Sequence, residues 1–319
     1  MNNIISEIQK SNNIVLLCHE NPDGDAIGSS IALYHALKKL HKEVDMVIKN
    51  TPKRFNFIEG YENIENTSDN KYNLGIVLDT ATIERVNNPN NIINNIKKII
   101  VIDHHITNTR YGDLNYVDES PACCQIIYNL IKYMNIEIDS KIAVPLMTGI
   151  LTDTGGFAHS NVTDETFLVA ASLSKVVNVS DIYKKVLGTI TKSQFKLKQK
   201  TMDNLEFYEN GQVAFSYITY KDIEQLGATY DECDILVNIG REIEGVEISI
   251  FARIYPEEIR VSLRSSNVDV CSIAQVFGCG GHINAAGITT SMDFDTLKEK
   301  IIKEAGKKIN EWNFSSRQA

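Results

Sequence analysis

Four groups of side chains in the first half of the chain have the types and spacing to hold metal ions. They are His19 with Asp23 and Asp25, then Asp79, then Asp103, His104 and His105, and finally Asp153. Each group follows a short apolar run: Ile14–Cys18, Gly75–Leu78, Ile99–Ile102 and Met147–Thr152. Such runs read as strands buried on both faces of a sheet. In open α/β sheets the crevice at the carboxyl ends of the strands is where ligands bind, so the fold is expected to deliver all four groups to one site. Carboxylates and neutral imidazoles are the hard and borderline donors that suit Mn²⁺ or Mg²⁺. A single Asp after a strand is more often a helix cap or turn former, and it is the four groups together that favour a polynuclear metal site. Cys18 precedes His19, and strand alternation sends it to the opposite face, into the core.

The elements that position these residues are expected as follows. Residues 2–10 form a short helix and 14–18 a strand. The loop from His19 to Asp25 turns at Pro22 and Gly24, which aims its carboxylates inward. Residues 26–40 have helical spacing, and that helix would point its first amides at an anion. Residues 44–48 and 73–78 are further strands, and 87–91 a polar loop. Ser120 and Pro121 suit an N-cap and first helical position for a helix ending near Met134. Residues 147–152 read as a strand, although a helix over 140–151 satisfies the same pattern. Helices over 164–178 and 180–187 close a first domain, 1–188, followed by a linker, 189–194, and a second domain, 195–319. The second domain begins with a helix over 195–208 and a strand over 213–218. A hairpin of 248–255 and 259–263 turns around Pro256, Glu257 and Glu258, and a helix covers 295–312.

The second domain carries the segment Phe277-Gly278-Cys279-Gly280-Gly281-His282-Ile283-Asn284-Ala285-Ala286-Gly287. Consecutive glycines let backbone amides approach a phosphate, and a helix following them would add its positive end. His282 supplies a further donor. Upstream, Arg264 and Ser265 end a strand, and an arginine fork matches a pair of phosphate oxygens. A glycine-rich loop alone is more often a plain turn; Arg264 and the first-domain residues favour a ligand site.

Composition bounds the rest. At 319 residues the chain suits two domains, and 43% hydrophobic residues can build real cores. A formal charge of −9 argues against gripping long nucleic acid through a basic surface. A small anionic substrate held by metal ions remains compatible, because bound cations dominate the local field. Cys18, Cys123, Cys124, Cys233, Cys271 and Cys279 include no Cys-x2-Cys pair, so a zinc knuckle is not expected. Their scatter suits a reducing compartment. No apolar run approaches the roughly 18–20 residues of a membrane span. The first seven residues lack a charged leader and an apolar core. A cytoplasmic protein is expected.

The ordered set His19-x3-Asp23-x-Asp25, Asp79, Asp103-His104-His105 and Asp153 resembles the DHH phosphoesterase superfamily. The segment 277–287 resembles the glycine-rich signature of its associated C-terminal domain. The resemblance covers nearly the whole chain and comes nearest the bacterial short-oligoribonucleotide hydrolases that also act as pAp phosphatases. It implies two lobes: a larger parallel-sheet DHH domain and a smaller mixed-sheet α/β domain, with the active site in the cleft between them. His19 and Asp23 would hold one ion and Asp25, His104 and Asp153 another, with Asp79 bridging. The ions would be two divalent metals, Mn²⁺ ahead of Mg²⁺, sharing a hydroxide for in-line attack about 3.5–4 Å apart. His105 would face the scissile phosphate as stabiliser or acid, and Asp103 would orient an imidazole or pack in the core. Arg264, Ser265, Gly280, Gly281 and His282 would hold the substrate. His159, Asn108 and Arg110 lie near motif positions, where substrate contact and ordinary loop hydrogen bonding are both open.

The implied substrates are di- to tetranucleotides of RNA, and pAp, which yields AMP and phosphate. Long nucleic acid and membranes are not expected as partners, and a homodimer is compatible. The alternatives are a phosphodiesterase for cyclic di-AMP or pApA, and an inert nucleotide sensor. A sensor would be expected to lose metal ligands, yet all the ligand positions are filled. Two departures stand out: Cys279 where the family often has glycine, and Ala122-Cys123-Cys124 where small hydroxyl residues are usual.

Overall fold

Alternation along the β-branched runs builds the first of two units, Met1–Thr189; the second is Ile190–Ala319. The structure is a computed structural model and describes residues 1–229, 231–233 and 235–316. The first unit's strands are β1 (Asn13–Leu17), β2 (Glu43–Val47), β3 (Ile64–Glu65), β4 (Leu74–Leu78), β5 (Ile99–Asp103) and β6 (Leu114–Val117). They form an all-parallel sheet in the order β3-β2-β1-β4-β5-β6. Ile14, Leu16 and Cys18 face a core shared with the helices, whereas Val15, Leu17, Val77 and Val101 pack with Tyr72, Val86 and Ile92 on the other face. Burial on both faces explains the unbroken apolar runs. The order reverses between β1 and β4, and the carboxyl ends there open the crevice expected of such sheets.

The helices of this unit are α1 (Asn2–Lys10), α2 (Gly24–Lys39), α3 (Cys123–Tyr133), α4 (Ser140–Asp153), α5 (Asp164–Leu173) and α6 (Val179–Tyr183). Residues 147–152 are helix, not strand: α4 starts from an Asp139 cap, whose carboxylate accepts from Ile142 N at 3.2 Å, and runs unbroken to Asp153. Tertiary packing against α2 outweighs the strand preference of its β-branched residues. The helix expected over 164–178 is shorter, ending as α5 at Leu173, whereas the one expected over 180–187 is α6 continued by a π-helical turn, Lys184–Gly188.

The second unit has a mixed sheet of β7 (Glu206–Tyr208), β8 (Val213–Thr219), β9 (Ile248–Ile254), β10 (Ile259–Ser265), β11 (Gly280–His282) and β12 (Ala285–Thr290). The order is β11-β12-β10-β9-β8-β7, with only β8 and β9 parallel. Its helices are α7 (Lys192–Asp203), α8 (Tyr220–Leu226), α9 (Asn238–Arg241), α10 (Cys271–Val276) and α11 (Phe294–Ser316). Phe215, Ile250 and Leu263 pack on Leu297, Ile301 and Ile309 of α11, while Ile218 and Phe251 pack on Leu197 and Ile223. The helix expected to reach residue 208 ends at Asp203, and 206–208 join the sheet as an edge. No helix among the described residues is long and apolar enough to cross a membrane.

Candidate metal centre

Two imidazoles are anchored so that the same nitrogen faces inward. His19, just beyond β1, donates Nδ1–H to the Glu20 carbonyl at 2.7 Å, and His104, just beyond β5, donates Nδ1–H to the Ser120 carbonyl at 3.0 Å. Each Nε2 lone pair is left for the site, the arrangement by which metal-binding histidines are held. His19 Nε2 lies 3.7 Å from Asp79 Oδ2 and 4.0 Å from Asp23 Oδ1. His104 Nε2 lies 3.2 Å from Asp79 Oδ1, 3.5 Å from Asp153 Oδ2 and 4.0 Å from Asp25 Oδ2. The donor atoms of His19, Asp23 and Asp79 thus lie within 4.8 Å of one another, as do those of Asp25, His104 and Asp153. Asp79 presents one oxygen to each imidazole.

Asp79 follows β4 in the left-handed region, φ +51°, a conformation that Asp and Asn tolerate better than other side chains. Its Oδ1 is buried and accepts no hydrogen bond while His104 Nε2 is unprotonated. A carboxylate oxygen and an imidazole lone pair 3.2 Å apart repel unless a cation lies between them. Without a metal that cation is a proton. Burial opposes a charged imidazole, but the Asp79 carboxylate outweighs it, pushing His19 up to about 9 and His104 up to about 10. Burial would raise Asp79 itself, yet hydrogen bonds and charge from His104 and His19 hold its carboxyl well below the usual range. Burial, followed by repulsion from Asp79, pushes Asp25 up to about 7. Burial and the charge of Asp25 also raise Asp153. A crowded anionic donor set with an orphaned buried oxygen fits divalent cations.

Asp23 and Asp25 also hold helices. Asp23 Oδ1 accepts from Asp25 N at 2.9 Å and Ala26 N at 3.1 Å, capping α2. Those amides therefore face Asp23 rather than an external anion as the sequence had suggested. Asp25 is fully buried and accepts from Cys124 N at 2.8 Å and from Cys123 N. It caps α3 from a distant part of the chain, because Ala122 at the N-cap has no side-chain oxygen. Ser120 and Pro121 do not start that helix as expected; the Ser120 carbonyl instead anchors His104. Gly149 of α4 permits this junction, since a Cβ there would lie 2.5 Å from Asp25 Oδ1 and would clash with Cys124 Sγ.

Asp103 is fully buried beneath His105. Its Oδ1 accepts from His105 Nδ1–H at 2.7 Å and His104 N at 2.9 Å, and its Oδ2 from Asn108 Nδ2 at 2.6 Å. Asp79, Asp103, His104 and His105 also form a compact donor cluster, but these hydrogen bonds engage both Asp103 oxygens and His105 Nδ1. His105 Nε2 makes no hydrogen bond among the described residues, and its side chain is about one-third exposed. Asn108, for which the sequence left substrate contact and loop hydrogen bonding both open, makes loop hydrogen bonds and so positions Asp103. His159 Nδ1–H and Asn161 Nδ2 both donate to the Asp153 carbonyl at 3.2 Å.

In the second unit, register aligns Arg264 with Ala285, and Ala285 with His282. Residues directly opposite one another share a sheet face, so Arg264 and His282 flank the small Ala285, roughly 10 Å apart across two strand spacings. The glycine-rich segment is a β-hairpin with a strand after it, not the expected loop leading into a helix. Gly281 is required by close approach, because a Cβ would lie 2.5 Å from both Ala285 O and Ala286 Cα. Ser265 Oγ is buried and accepts from Asn267 N and Val268 N, at 3.2 and 2.7 Å.

A parallel sheet that gathers these carboxylates and imidazoles at its switch point, followed by a mixed-sheet unit, defines the class. The chain belongs to the DHH family: the DHH family N-terminal domain matches residues 13–150 and the DHHA1 domain matches 210–312. It is 34% identical over 313 residues to the bifunctional oligoribonuclease and PAP phosphatase NrnA of Thermus thermophilus, spanning 94% of this chain and 92% of that protein. Identity to the Bacillus subtilis protein of the same name is 29%, over 89% and 91% of the two chains. An exopolyphosphatase-related protein from Bacteroides fragilis is similar in structure, with a TM-score of 0.88, 26% identity and 96% of each chain covered. RecJ of Thermus thermophilus in complex with Mn²⁺ shares the fold, at a TM-score of 0.58 and 12% identity, over 96% of this chain and 54% of that one.

Proposed function

We propose that the chain is a metal-dependent phosphoesterase that hydrolyses short oligoribonucleotides to mononucleotides and pAp to AMP and phosphate. The observation that carries the reading is Asp79, whose two oxygens face His19 and His104. His19, Asp23 and Asp79 would hold one divalent ion, and Asp25, His104, Asp153 and Asp79 a second. Mn²⁺ is favoured over Mg²⁺ because imidazoles stand among the oxygen donors. When bound, the ions supply a water acidic enough to attack near neutral pH and positive charge for the phosphoryl oxygens.

The remaining chemistry belongs to side chains. Asp103 fixes the His105 tautomer, so His105 Nε2 can stabilise the phosphoryl group or hand a proton to the leaving ribose oxygen. Arg264 and His282, on one sheet face, would bind a phosphate remote from the scissile one, with Ser265, Gly280 and Gly281 shaping the turn around it. On this reading residues 1–188 are catalytic, 189–194 a linker and 195–319 substrate-binding. The names of the Thermus and Bacillus relatives support the choice of substrates.

The test is hydrolysis by Mn²⁺-loaded protein of pAp, pApA, cyclic di-AMP and RNAs of two to four nucleotides. We expect kcat/KM for pAp and the short RNAs to exceed that for cyclic di-AMP by at least about tenfold. A preference for cyclic di-AMP would replace this reading with the phosphodiesterase.

A further inference from the structure

One residue beyond His105, Ile106 is 77% exposed, the highest value among the large hydrophobic side chains of the described residues. Arg110 is also exposed, and its guanidinium makes no hydrogen bond or ion pair among the described residues. Neither position is loose. Asn108 N donates to the His105 carbonyl at 3.0 Å, closing a turn with Ile106 at its second position. Arg110 N donates to Asn108 Oδ1 at 2.6 Å, while Asn108 Nδ2 donates to Asp103 Oδ2 and to Thr80 O. Thr109 N donates to Ala81 O at 3.0 Å. Arg110 is held at φ +54°, uncommon for a residue other than glycine. The loop is therefore tied to the Asp103 side chain and to the segment that follows Asp79. It presents one apolar and one planar cationic side chain to solvent.

Scattered exposed apolar residues need no explanation. An isoleucine held by a rigid turn next to His105, with an unpaired guanidinium in the same loop, is a different case. We infer that the loop from His105 to Arg110 seats the nucleobase of a nucleotide at the metal centre, with Ile106 against the ring and the Arg110 guanidinium stacked on it. The inference rests on the phosphoesterase reading above. Arginine planes and apolar side chains are base-stacking surfaces, tolerant of base identity because every base has a π face. The loop's amide side chain, Asn108, has its oxygen and its NH₂ group engaged, so it is not free to read a base edge. Thr107 and Thr109 carry hydroxyls that donate and accept alike. The seat distinguishes a base from no base, and discriminates little among bases.

The experiment is calorimetric binding of AMP and of ribose 5-phosphate to the Mn²⁺-loaded full chain, wild type and Ile106→Ser/Arg110→Ala. The wild type should bind AMP about 10- to 100-fold more tightly than ribose 5-phosphate. In the double variant that ratio should fall to within about threefold, chiefly through weaker AMP binding. Both positions are exposed, so the melting temperature should hold. An unchanged ratio overturns the base seat; where it comes with an equal fractional loss for both ligands, the loop is a phosphate contact instead. Because binding is read, the seat is measured even if pAp and short RNA are not hydrolysed. That outcome would remove the functional reading and not this one.

Discussion

His105 donates its Nδ1–H to Asp103 Oδ1 at 2.7 Å, whereas the neighbouring His104 turns its Nδ1–H to the Ser120 carbonyl and its Nε2 toward three carboxylates. Adjacent imidazoles thereby have different partners, and on the proposed reading different tasks. His104→Ala should lose bound metal. His105→Ala should keep its metal and lose turnover by about 10²- to 10⁴-fold, the usual range for a proton-transfer group. Metal content of the two purified variants, measured by mass spectrometry, decides it; equal metal loss in both would end the division of labour.

Proton competition makes metal binding depend on pH. His19 and His104, raised to about 9 and about 10, must release protons before their nitrogens can coordinate. Apparent Mn²⁺ affinity should therefore climb steadily from pH 6 to pH 9. For the metal-free fold the sign is opposite. Imidazoles raised above their unfolded value stabilise it fully below about pH 6.5, and that contribution is lost as pH rises through 9 to 10. Asp25, raised to about 7, removes further stability as it ionises. The melting temperature of chelated protein should fall between pH 6 and pH 10, and a pH-independent Mn²⁺ affinity would contradict the account.

Gly149→Ala tests the junction of α2, α3 and α4. The added methyl would meet Asp25 and Cys124. Overpacking of this kind costs about 1–3 kcal/mol, so the melting temperature should drop. The ion assigned to Asp25, His104 and Asp153 should bind more weakly than the other. Two ions retained at wild-type affinity would show that Asp25 is not positioned through this contact.

Much of this arrangement was legible because β1, β4 and β5 are buried on both faces, which forces unbroken apolar runs and leaves polar residues only where the strands end. His19, Asp79 and His104 could be placed together on that basis. What escaped the sequence depends on distant partners. The cap of α3 is Asp25, 98 residues from Cys123, so the nearby Ser120 was a misleading signal. The strand reading of 147–152 followed the short apolar run that leads to Asp153, while packing on α2 sets the helix. The glycine-rich segment is a hairpin of β11 and β12 rather than a loop leading into a helix, because Gly281 serves close strand approach, which local sequence does not distinguish from a turn before a helix. β3 and β6 are short and only partly buried, so no apolar run announces them.

Arg264→Ala should separate substrate grip from metal chemistry. Truncating a charged partner of a bound phosphate costs about 2–5 kcal/mol, roughly 30- to 5,000-fold in kcat/KM. That loss should appear on pAp and dinucleotides and be much smaller on bis-p-nitrophenyl phosphate, which has no second phosphate. Equal fractional losses would place Arg264 in the metal chemistry or the fold.

The central claim is that Asp79 would help to hold both divalent ions on which hydrolysis depends. Asn tolerates the left-handed backbone at this position, so Asp79→Asn should fold while losing the charge that both imidazoles face. The direct measurement is pAp turnover against Mn²⁺ added to chelator-stripped protein, wild type beside Asp79→Asn, with bound metal counted in the same samples. The wild type should be inactive when stripped and recover with two ions per chain, and the variant should stay at least about 10³-fold slower at every Mn²⁺ concentration. Turnover by stripped wild type, or near-normal turnover by metal-loaded Asp79→Asn, would contradict it.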